Sequence, residues 1–452
     1  MSNRFSYGAL RSAAALAVVA AVLAACSQAA ATPAASQPAS QPASQPPVTA
    51  APSATQAPVT LTMTIWGNDT DKKVYSDRIA LVEKKYPWIT VNLTQISDQY
   101  DTKLQTQVAG GKAPDLMEMA EAINVYSSKG QLEDLAPYYK AAGVDPVKLF
   151  GQGAVNTYTT DGHLWASPDR SGAAVMFYNK DMFDKAGVKY PTADWTWDDF
   201  RADAKALTVS SGTKVTQWGY GAGDWWPWYM NWIKQGGGDV IDASGNPVIN
   251  SDANVASIKF YNDMVFTDKS ALSPRDYANL SLPNGSPDPL FAQGKLAMEV
   301  TGFWNVGSLA KTTLNWDIQV VPQGKQKATA AFGSGIAVSS TSAHKDAAAL
   351  VAIYFGTVEG QGPIVTSGLD VPANVEAASS DAFLNPTWLK QKVNLKAFGD
   401  SAAFVYSPPL VPQWNQIQKA FTDGLAKVWS DNASVSEGLG KVQTTVKTLL
   451  GK

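Results

Sequence analysis

Residues 61–117 alternate between strand-like and helix-like patterns, and this alternation restricts the fold more than any other feature of the chain. Residues 61–65 (LTMTI) and 89–93 (ITVNL) are rich in strand formers, and a third strand is predicted to begin within 114–117 (PDLM). The intervening segments carry apolar side chains at helical spacing, namely Tyr75, Ile79 and Val82, then Tyr100, Leu104 and Val108. Such alternation predicts an α/β layer with a mainly parallel sheet, in which ligands bind beyond the carboxyl ends of the strands.

The remainder of the chain carries the same two kinds of pattern. Residues 173–178 (AAVMFY) predict a strand, and Thr196 begins a capping box before a helix. Residues 291–298 are predicted to be helical, and Ser342 is predicted to open a helix after a short strand. Residues 414–429 carry apolar residues at helical spacing and predict a late helix.

Cys26, the only cysteine, ends an apolar run that follows Arg4 and Arg11. A basic start, an apolar stretch of this length and small residues at its end are typical of a signal peptide over residues 1–26. The ending Leu-Ala-Ala-Cys resembles the lipobox of bacterial lipoproteins, which implies acylation of Cys26 and an extracytoplasmic protein anchored to the cell membrane. An ordinary signal peptide and an N-terminal anchor helix remain the alternatives. One cysteine cannot form an intramolecular disulfide.

Residues 27–60 contain almost only Ala, Ser, Pro, Gln and Thr, and the sequence Ser-Gln-Pro recurs three times within 36–47. Too little apolar bulk is present to offset the entropy of ordering such a segment. Its prolines favour extended conformations, so we expect a semi-stiff linker between the anchor and a globular body.

The composition favours a protein that binds a small ligand. The net charge of -3 argues against a nucleic-acid partner, because such proteins are usually basic. The chain has 15 Trp, 16 Tyr and 15 Phe, and many of these aromatic residues lie beside Gly, Pro and Asp in predicted loops. Aromatic side chains with polar neighbours are typical of a ligand surface.

A series of short segments carries a resemblance over nearly the whole predicted mature chain. They are 64–67 (TIWG), 86–91 (YPWITV), 109–115 (AGGKAPD), 130–135 (GQLEDL), 178–183 (YNKDMF), 195–200 (WTWDDF), 291–298 (FAQGKLAM) and 302–304 (GFW). In this order they resemble the extracellular solute-binding proteins of ABC importers, in the sugar-binding group that includes the maltose-binding protein.

The resemblance implies an α/β, two-lobed periplasmic-binding-protein-like fold with hinge strands and a ligand cleft between the lobes. Lobe I is expected to comprise 60–170 and 334–370, and lobe II 171–333 and 371–452. It further implies a monomer that closes on a carbohydrate, expected to be an oligosaccharide, and delivers it to the transmembrane subunits of an ABC permease.

The candidate ligand-binding residues come from strand ends, from the Trp-rich loop and from the resemblance. Sugars expose hydroxyls around apolar CH faces, so a site for them needs flat aromatic surfaces and directional hydrogen-bonding groups. The candidates are Trp66, Asn68, Asp69, Glu118, Glu121, Asp169, Arg170, Trp225, Trp226, Trp228, Trp304, Ser334 and Trp414.

Signals for catalysis or for a metal are weak. His163 and His344 lack metal-ligand spacing, and the Ser-x-x-Lys match that starts at Ser342 has no Lys-Thr-Gly partner. We therefore expect a protein that is not an enzyme and needs no cofactor. A secreted glycoside hydrolase or a lectin remains an alternative of another class. Within the fold, polyamines, sugar phosphates and metals remain alternative ligands.

Overall fold

The computed structural model describes residues 56–452 except 121–122, 222–224, 281 and 283–285. The predicted signal peptide, Cys26 and most of the predicted linker lie outside the described residues, as does Glu121.

Short strands occur throughout the described chain. In chain order they are β1 (Val59–Trp66), β2 (Ile89–Ile96), β3 (Leu116–Met119), β4 (Thr159–Thr160), β5 (His163–Leu164), β6 (Ser167–Ala173), β7 (Val175–Asn179), β8 (Val209–Ser211), β9 (Lys214–Gly221), β10 (Leu296–Thr301), β11 (Trp316–Gln319), β12 (Thr329–Val338) and β13 (Val405–Tyr406).

Helices cover the strands and connect them. They are α1 (Asp69–Lys85), α2 (Tyr100–Ala109), α3 (Ile123–Ser127), α4 (Ala136–Ala141), α5 (Pro146–Phe150), α6 (Gln152–Thr157), α7 (Lys180–Ala186), α8 (Trp197–Ala206), α9 (Trp226–Gln235), α10 (Asp252–Phe266), α11 (Pro274–Asn279), α12 (Asp288–Ala292), α13 (Trp304–Leu309), α14 (Lys345–Phe355), α15 (Val358–Ser367), α16 (Val375–Ala378), α17 (Asp381–Leu384), α18 (Lys396–Ser401), α19 (Trp414–Asp431) and α20 (Val435–Leu450).

The first sheet has the strand order β13-β12-β3-β1-β2, and β6 also pairs with β12. β1 is parallel to both β2 and β3, which confirms the parallel arrangement predicted from the strand–helix alternation. β12 runs antiparallel to β3 and to β6, so the sheet is mixed on that side. α1 begins at a capping box on Asn68, and its C-cap is Tyr86, directly before Pro87.

The second sheet has the order β11-β7-β10-β9-β8 and mixes parallel and antiparallel pairs. Three stretches of chain pass between the two sheets. β6 of the first sheet continues almost directly into β7 of the second, and β12 pairs with β6 along the way. Residues 371–373 run beside β6, where the Ser171 N–H donates to the Val371 carbonyl at 2.9 Å.

Separate apolar cores lie against the two sheets. One core contains Leu61, Tyr75 and Val338 and covers the first sheet. Two others, around Phe200 and around Phe291, lie against the second sheet. β12 contributes to cores at both of its ends, because Ala330 belongs to the second-sheet side and Val338 to the first. The crossing strands therefore connect two bodies that each have a core of their own.

Two local predictions are wrong. Residues 291–298 do not form one helix, because α12 ends at Ala292 and Gly294, with φ 65°, turns the chain into β10, whose residues are all buried. Ser342 does not open α14 directly. The helix begins at Lys345 after His344, while the Ser342 hydroxyl donates to Asp115 Oδ1 at 2.6 Å and accepts from the His344 N–H.

Within the described ranges, no single helix is long and apolar enough to cross a membrane. The pair α14 and α15, bent by 54°, passes the same test of length and composition only when taken together. Most of α14 is buried in the core of the first sheet.

Candidate ligand-binding site

A cavity of about 930 Å³ lies between the two sheets. The first-sheet side contributes the end of β1 and the start of α1, and the second-sheet side contributes α13 and the residue before α9. The crossing strands β6 and β12 form its floor, and residues 367–370 and 388–390 complete the wall. Because both sheets contribute walls, a ligand here contacts both bodies of the protein.

Three aromatic rings form one continuous surface in this cavity. The Phe332 ring stacks on Trp225, with ring centroids 5.5 Å apart and an interplanar angle of 19°. Trp304 meets the same phenylalanine edge-on at 4.9 Å. Trp225 and Trp304 remain 42% and 43% exposed, although burial of large aromatic rings is usually favourable. Exposed rings in fixed orientations are the surface that the CH faces of a sugar require.

Two glycines leave room for indole rings that line the cavity. A Cβ atom at Gly302 would overlap the Trp304 ring, so the glycine lets that ring fold back over the main chain. A Cβ atom at Gly368, whose φ is +67°, would likewise overlap the Trp388 ring. At both positions the absence of a side chain allows an indole to lie flat against the backbone.

Buried polar contacts fix the start of α13, the helix that carries Trp304. The side-chain amide of Asn305 donates to Glu299 Oε1 at 2.6 Å, and both residues are buried. Burial and the neighbouring Asp288 carboxyl raise the pKa of Glu299 well above its ordinary value. Both effects favour the neutral form of the Glu299 carboxyl, which lowers the cost of burying it behind the cavity wall.

Arg170 is the central polar group of the cavity floor. Its Nε donates to Glu118 Oε1 at 3.0 Å and to Ser334 Oγ at 3.2 Å, and its Nη2 pairs with Glu118. Nη1 donates to Asp71 Oδ1 at 3.2 Å. Within the described part of the chain, one N–H on each terminal nitrogen makes no hydrogen bond. The guanidinium, which is 6% exposed and lines the cavity, thus has two charged donors that these protein hydrogen bonds do not use.

Trp66 packs beside this guanidinium at the first-sheet end of the cavity. The Arg170 Cζ lies 5.1 Å from the centroid of the indole, a cation–π distance. Tyr100 meets Trp66 edge-on at 5.5 Å. Trp66 also lines a second cavity of about 500 Å³, which extends along residues 96–102 and reaches Asn415. The two cavities share Trp66 and Ala120, so the ligand groove continues past the indole.

A second buried cluster supports the floor from behind. Arg78 pairs with Asp169 through both terminal nitrogens and donates through Nε to the Gly360 carbonyl at 2.8 Å. The Tyr75 hydroxyl contacts Asp169 Oδ2 at 2.6 Å and Glu118 Oε1 at 2.8 Å. These residues link α1 to the crossing strand β6, and they have no surface in the cavity.

Two carboxyls near Arg170 have raised pKa values. Burial raises the pKa of Glu118, although Arg170 partly opposes the shift. Burial also raises the pKa of Asp370 to about 6, with Arg170 again acting in the opposite direction. Asp370 Oδ2 lies 4.0 Å from Arg170 Nη1, and the side chain keeps 22% of its surface exposed at the cavity edge. Burial therefore outweighs the nearby positive charge at both positions.

The structure brings some of the sequence candidates together in the cavity and places the rest elsewhere. Those that line it are Trp66, Asn68, Arg170, Trp225 and Trp304. Asp69 is exposed at the first position of α1 and does not line the cavity. Glu121 lies outside the described residues.

The other candidates are not part of the cavity wall, which differs from the expectation of direct ligand contact. Glu118, Asp169 and Ser334 are fully buried, because they neutralise or hydrogen-bond the two buried arginines. Trp226 and Trp414 are buried against each other, with ring centroids 5.6 Å apart. Trp228 is half-buried behind Trp225, at 6.3 Å between ring centroids.

Several cavity residues escaped the sequence reasoning. One of them is Asp71, the third residue of the helix that Asn68 caps. In this capping box the Asn68 N–H donates to Asp71 Oδ2 at 2.8 Å, and an acidic residue three positions after a polar cap is the sequence signal for it. The others come from segments with no ligand-binding pattern of their own. They are Phe332, Asp370, Trp388, Lys311 and Lys390.

In the described ranges, no group of three His, Cys, Asp or Glu side chains is arranged to hold a metal ion. The polar side chains of the cavity instead offer cationic, carboxylate and amide groups around aromatic rings. That combination can bind a polyhydroxylated ligand through hydrogen bonds and ring contacts.

Comparison with known proteins gives consistent matches. The family described as bacterial extracellular solute-binding protein matches residues 46–362. An arabinooligosaccharide-binding protein of Halalkalibacterium halodurans is 25% identical over 290 residues, which are 61% of this chain and 60% of the relative.

Solved structures share the fold. An ABC substrate-binding protein of Listeria monocytogenes in complex with cycloalternan has a TM-score of 0.76 and 31% identity, over 87% of this chain and 99% of that one. The GacH receptor of Streptomyces glaucescens has a TM-score of 0.73 and 20% identity, over 88% and 100%. The predicted α/β, two-lobed periplasmic-binding-protein-like fold is confirmed. The chain therefore belongs to the family of bacterial extracellular solute-binding proteins.

Proposed function

We propose that this protein captures an oligosaccharide in the cavity between its two lobes and delivers it to the membrane subunits of an ABC importer. The observation that carries the proposal is the aromatic surface of Trp225, Trp304 and Phe332 in the cavity that Arg170 also lines. Similar proteins are named for binding an arabinooligosaccharide and for a complex with cycloalternan, which supports the same ligand class.

The chemistry of the cavity suits an uncharged polyol surface. Ring faces bind the apolar CH groups of a pyranose, while Arg170 and Asn68 supply hydrogen-bonding groups for its hydroxyls. A hydrogen bond to a charged group contributes about 1.5–3 kcal/mol. The cavity volume of about 930 Å³ and its continuation past Trp66 favour an oligosaccharide over a monosaccharide.

Closure of the lobes follows from the position of the ligand. The walls belong to two bodies with separate cores, and the connection between them runs through the β6–β12 pair and residues 371–373. A ligand that contacts both walls stabilises the closed form, because only that form offers all the contacts at once. We propose that the permease recognises this form and that acylated Cys26 holds the monomer at the membrane.

Two alternatives bear on this proposal. A polyamine is a polycation, and the cavity wall carries Arg170, Lys311 and Lys390, which repel it. A glycoside hydrolase needs two carboxyls placed across the scissile bond. Here the two lining carboxyls, Asp71 and Asp370, both lie beside the same nitrogen of Arg170, at 3.2 and 4.0 Å, and each also accepts a backbone N–H. They are therefore engaged within the protein, and we propose binding without turnover.

The test is saccharide binding by the purified mature protein and three variants. We expect one or more of a panel of arabino-, galacto- and malto-oligosaccharides to bind at 1:1 stoichiometry and to change the tryptophan fluorescence. Trp304→Ala and Trp225→Ala should each weaken binding at least tenfold, since each removes an aromatic contact worth about 1.5 kcal/mol or more. Tyr190→Ala is the matched control, because Tyr190 is 37% exposed and lies outside the cavity.

Several results would contradict the proposal. Release of shorter saccharides would indicate hydrolysis, and a preference for spermidine over every saccharide would indicate a polyamine carrier. Binding without compaction in small-angle scattering would favour a lectin. If the control Tyr190→Ala weakens binding as much as Trp304→Ala and Trp225→Ala do, the cavity is not the binding site.

A further inference from the structure

Two lysines of the cavity lining stand apart from its other charged groups. Lys311 follows α13 after one intervening residue, and Lys390 comes two residues after Trp388. Both side chains are exposed and both line the cavity. Neither forms an ion pair with a carboxylate in the part of the chain that the structure describes. Each ammonium group therefore meets the cavity without a counter-charge from the protein.

The carboxylates of the cavity lining lie at a different place, beside Arg170. Asp71 accepts from Arg170 Nη1 and from the Asn68 N–H, and Asp370 lies 4.0 Å from the same guanidinium nitrogen. Asp370 also accepts the Val371 N–H at 2.8 Å. These negative charges are thus matched by Arg170. Lys311 and Lys390 have no ion-pair partner among the described residues, so they add unmatched positive charge to the lining.

Both lysines belong to one wall because their segments pack in the same core. Phe303 and Leu309 of the α13 region and Leu389 beside Lys390 share one apolar cluster. Phe303 also stacks on Phe383 of α17, at 5.6 Å and 26°. The two ammonium groups are therefore carried by elements that are fixed against each other. Both lysines thus line one cavity from segments that pack in one core.

We infer that the saccharide carries an anionic group that binds between Lys311 and Lys390, while its neutral rings lie on the aromatic surface and at Arg170. This inference rests on the proposed function. The shared chemistry is a carboxylate or a phosphate on a sugar ring, and the experiment separates the two. Arg170 alone gives little basis for an anionic ligand, since Glu118 and Asp71 already match its charge.

The expected effect is moderate, because both lysines are exposed. Ion pairs of exposed side chains are screened by water and salt, and each corresponds to a change in affinity of at most about fivefold. We therefore expect Lys311→Gln and Lys390→Gln to weaken binding of an anionic saccharide about threefold to fivefold each. The affinity for the matched neutral saccharide should fall less than that for the anionic one, because the neutral sugar lacks the charge that the ammonium groups attract.

The experiment measures dissociation constants for matched pairs of saccharides by titration calorimetry. The pairs are galactotriose with trigalacturonate, xylotriose with aldotetrauronic acid, and maltotriose with a maltotriose phosphate. Wild type and both variants are measured at low and high salt. Lys392→Gln is the matched control, since Lys392 is an exposed lysine two residues further on that does not line the cavity.

The inference predicts that the anionic member of at least one pair binds at least fivefold more tightly, and that salt and either cavity substitution reduce this preference. A preference for a uronate identifies the anionic group as a carboxylate, and a preference for the maltotriose phosphate identifies it as a phosphate. If no anionic member binds at least fivefold more tightly than its neutral partner, or if Lys392→Gln has the same effect as the cavity substitutions, the inference is overturned and the proposed function stands. Absence of binding by every saccharide would overturn both.

Discussion

The buried pair of Arg78 and Asp169 gives a sharp test of how the cavity floor is built. Asp169→Asn keeps the size of the side chain and removes its charge. The new amide nitrogen is a donor facing a guanidinium that has only donors, so the Arg78 charge loses its counter-charge inside the protein. Both side chains are at most 1% exposed. Loss of one partner from a buried pair costs about 3–5 kcal/mol, which we expect as the decrease in unfolding free energy.

Urea unfolding followed by tryptophan fluorescence and far-ultraviolet circular dichroism measures this decrease. Asp77→Asn is the control, because its pair with Lys73 is exposed and contributes about 0.5 kcal/mol or less. Affinity of the folded variant for the tightest-binding saccharide should stay within about threefold, since Asp169 has no surface in the cavity. A variant with wild-type stability and tenfold weaker binding would refute this reasoning and make Asp169 a ligand contact.

Two further substitutions test the cavity wall. Gly368→Ala should destabilise the protein and weaken saccharide binding, because the added methyl group strains a positive φ by about 1–2 kcal/mol and displaces Trp388. Gly143→Ala has the same φ of +67° and open space around it, so in denaturation and binding assays it should show the strain alone. Asp370, whose pKa is raised to about 6 in the folded protein, contributes stability below about pH 4 that is lost as pH rises through about 6. Asp370→Asn should remove that dependence, worth up to about 3 kcal/mol, from unfolding free energies measured between pH 4 and 7, and an unchanged slope would contradict the assignment.

Sequence patterns predicted the elements well where one periodicity dominated. The helix through Tyr75, Ile79 and Val82 was predictable because its apolar side chains recur at helical spacing. The segment 291–298 was not, since it joins a short helix to a buried strand through Gly294. A strand buried on both faces lacks the alternation that distinguishes it from a helix.

The candidate site was only partly predictable, because residue type does not reveal which way a side chain faces. Trp225 and Trp226 are neighbours in sequence, yet one lines the cavity and the other is buried against Trp414. Phe332 lies on a crossing strand, and its place beside Trp304 depends on how β12 passes between the sheets. Lys311 and Lys390 are far apart in sequence and meet the same cavity only through packing of α13.

The many contacts of Arg170 limit how this protein can change. Its guanidinium touches side chains of α1, β3 and β12, so any replacement disturbs three elements together with the ligand. Lys311 and Lys390, by contrast, are exposed residues of the lining that form no ion pair among the described residues. New specificities should therefore arise, in evolution or by design, through the rim of the cavity while its floor is inherited unchanged.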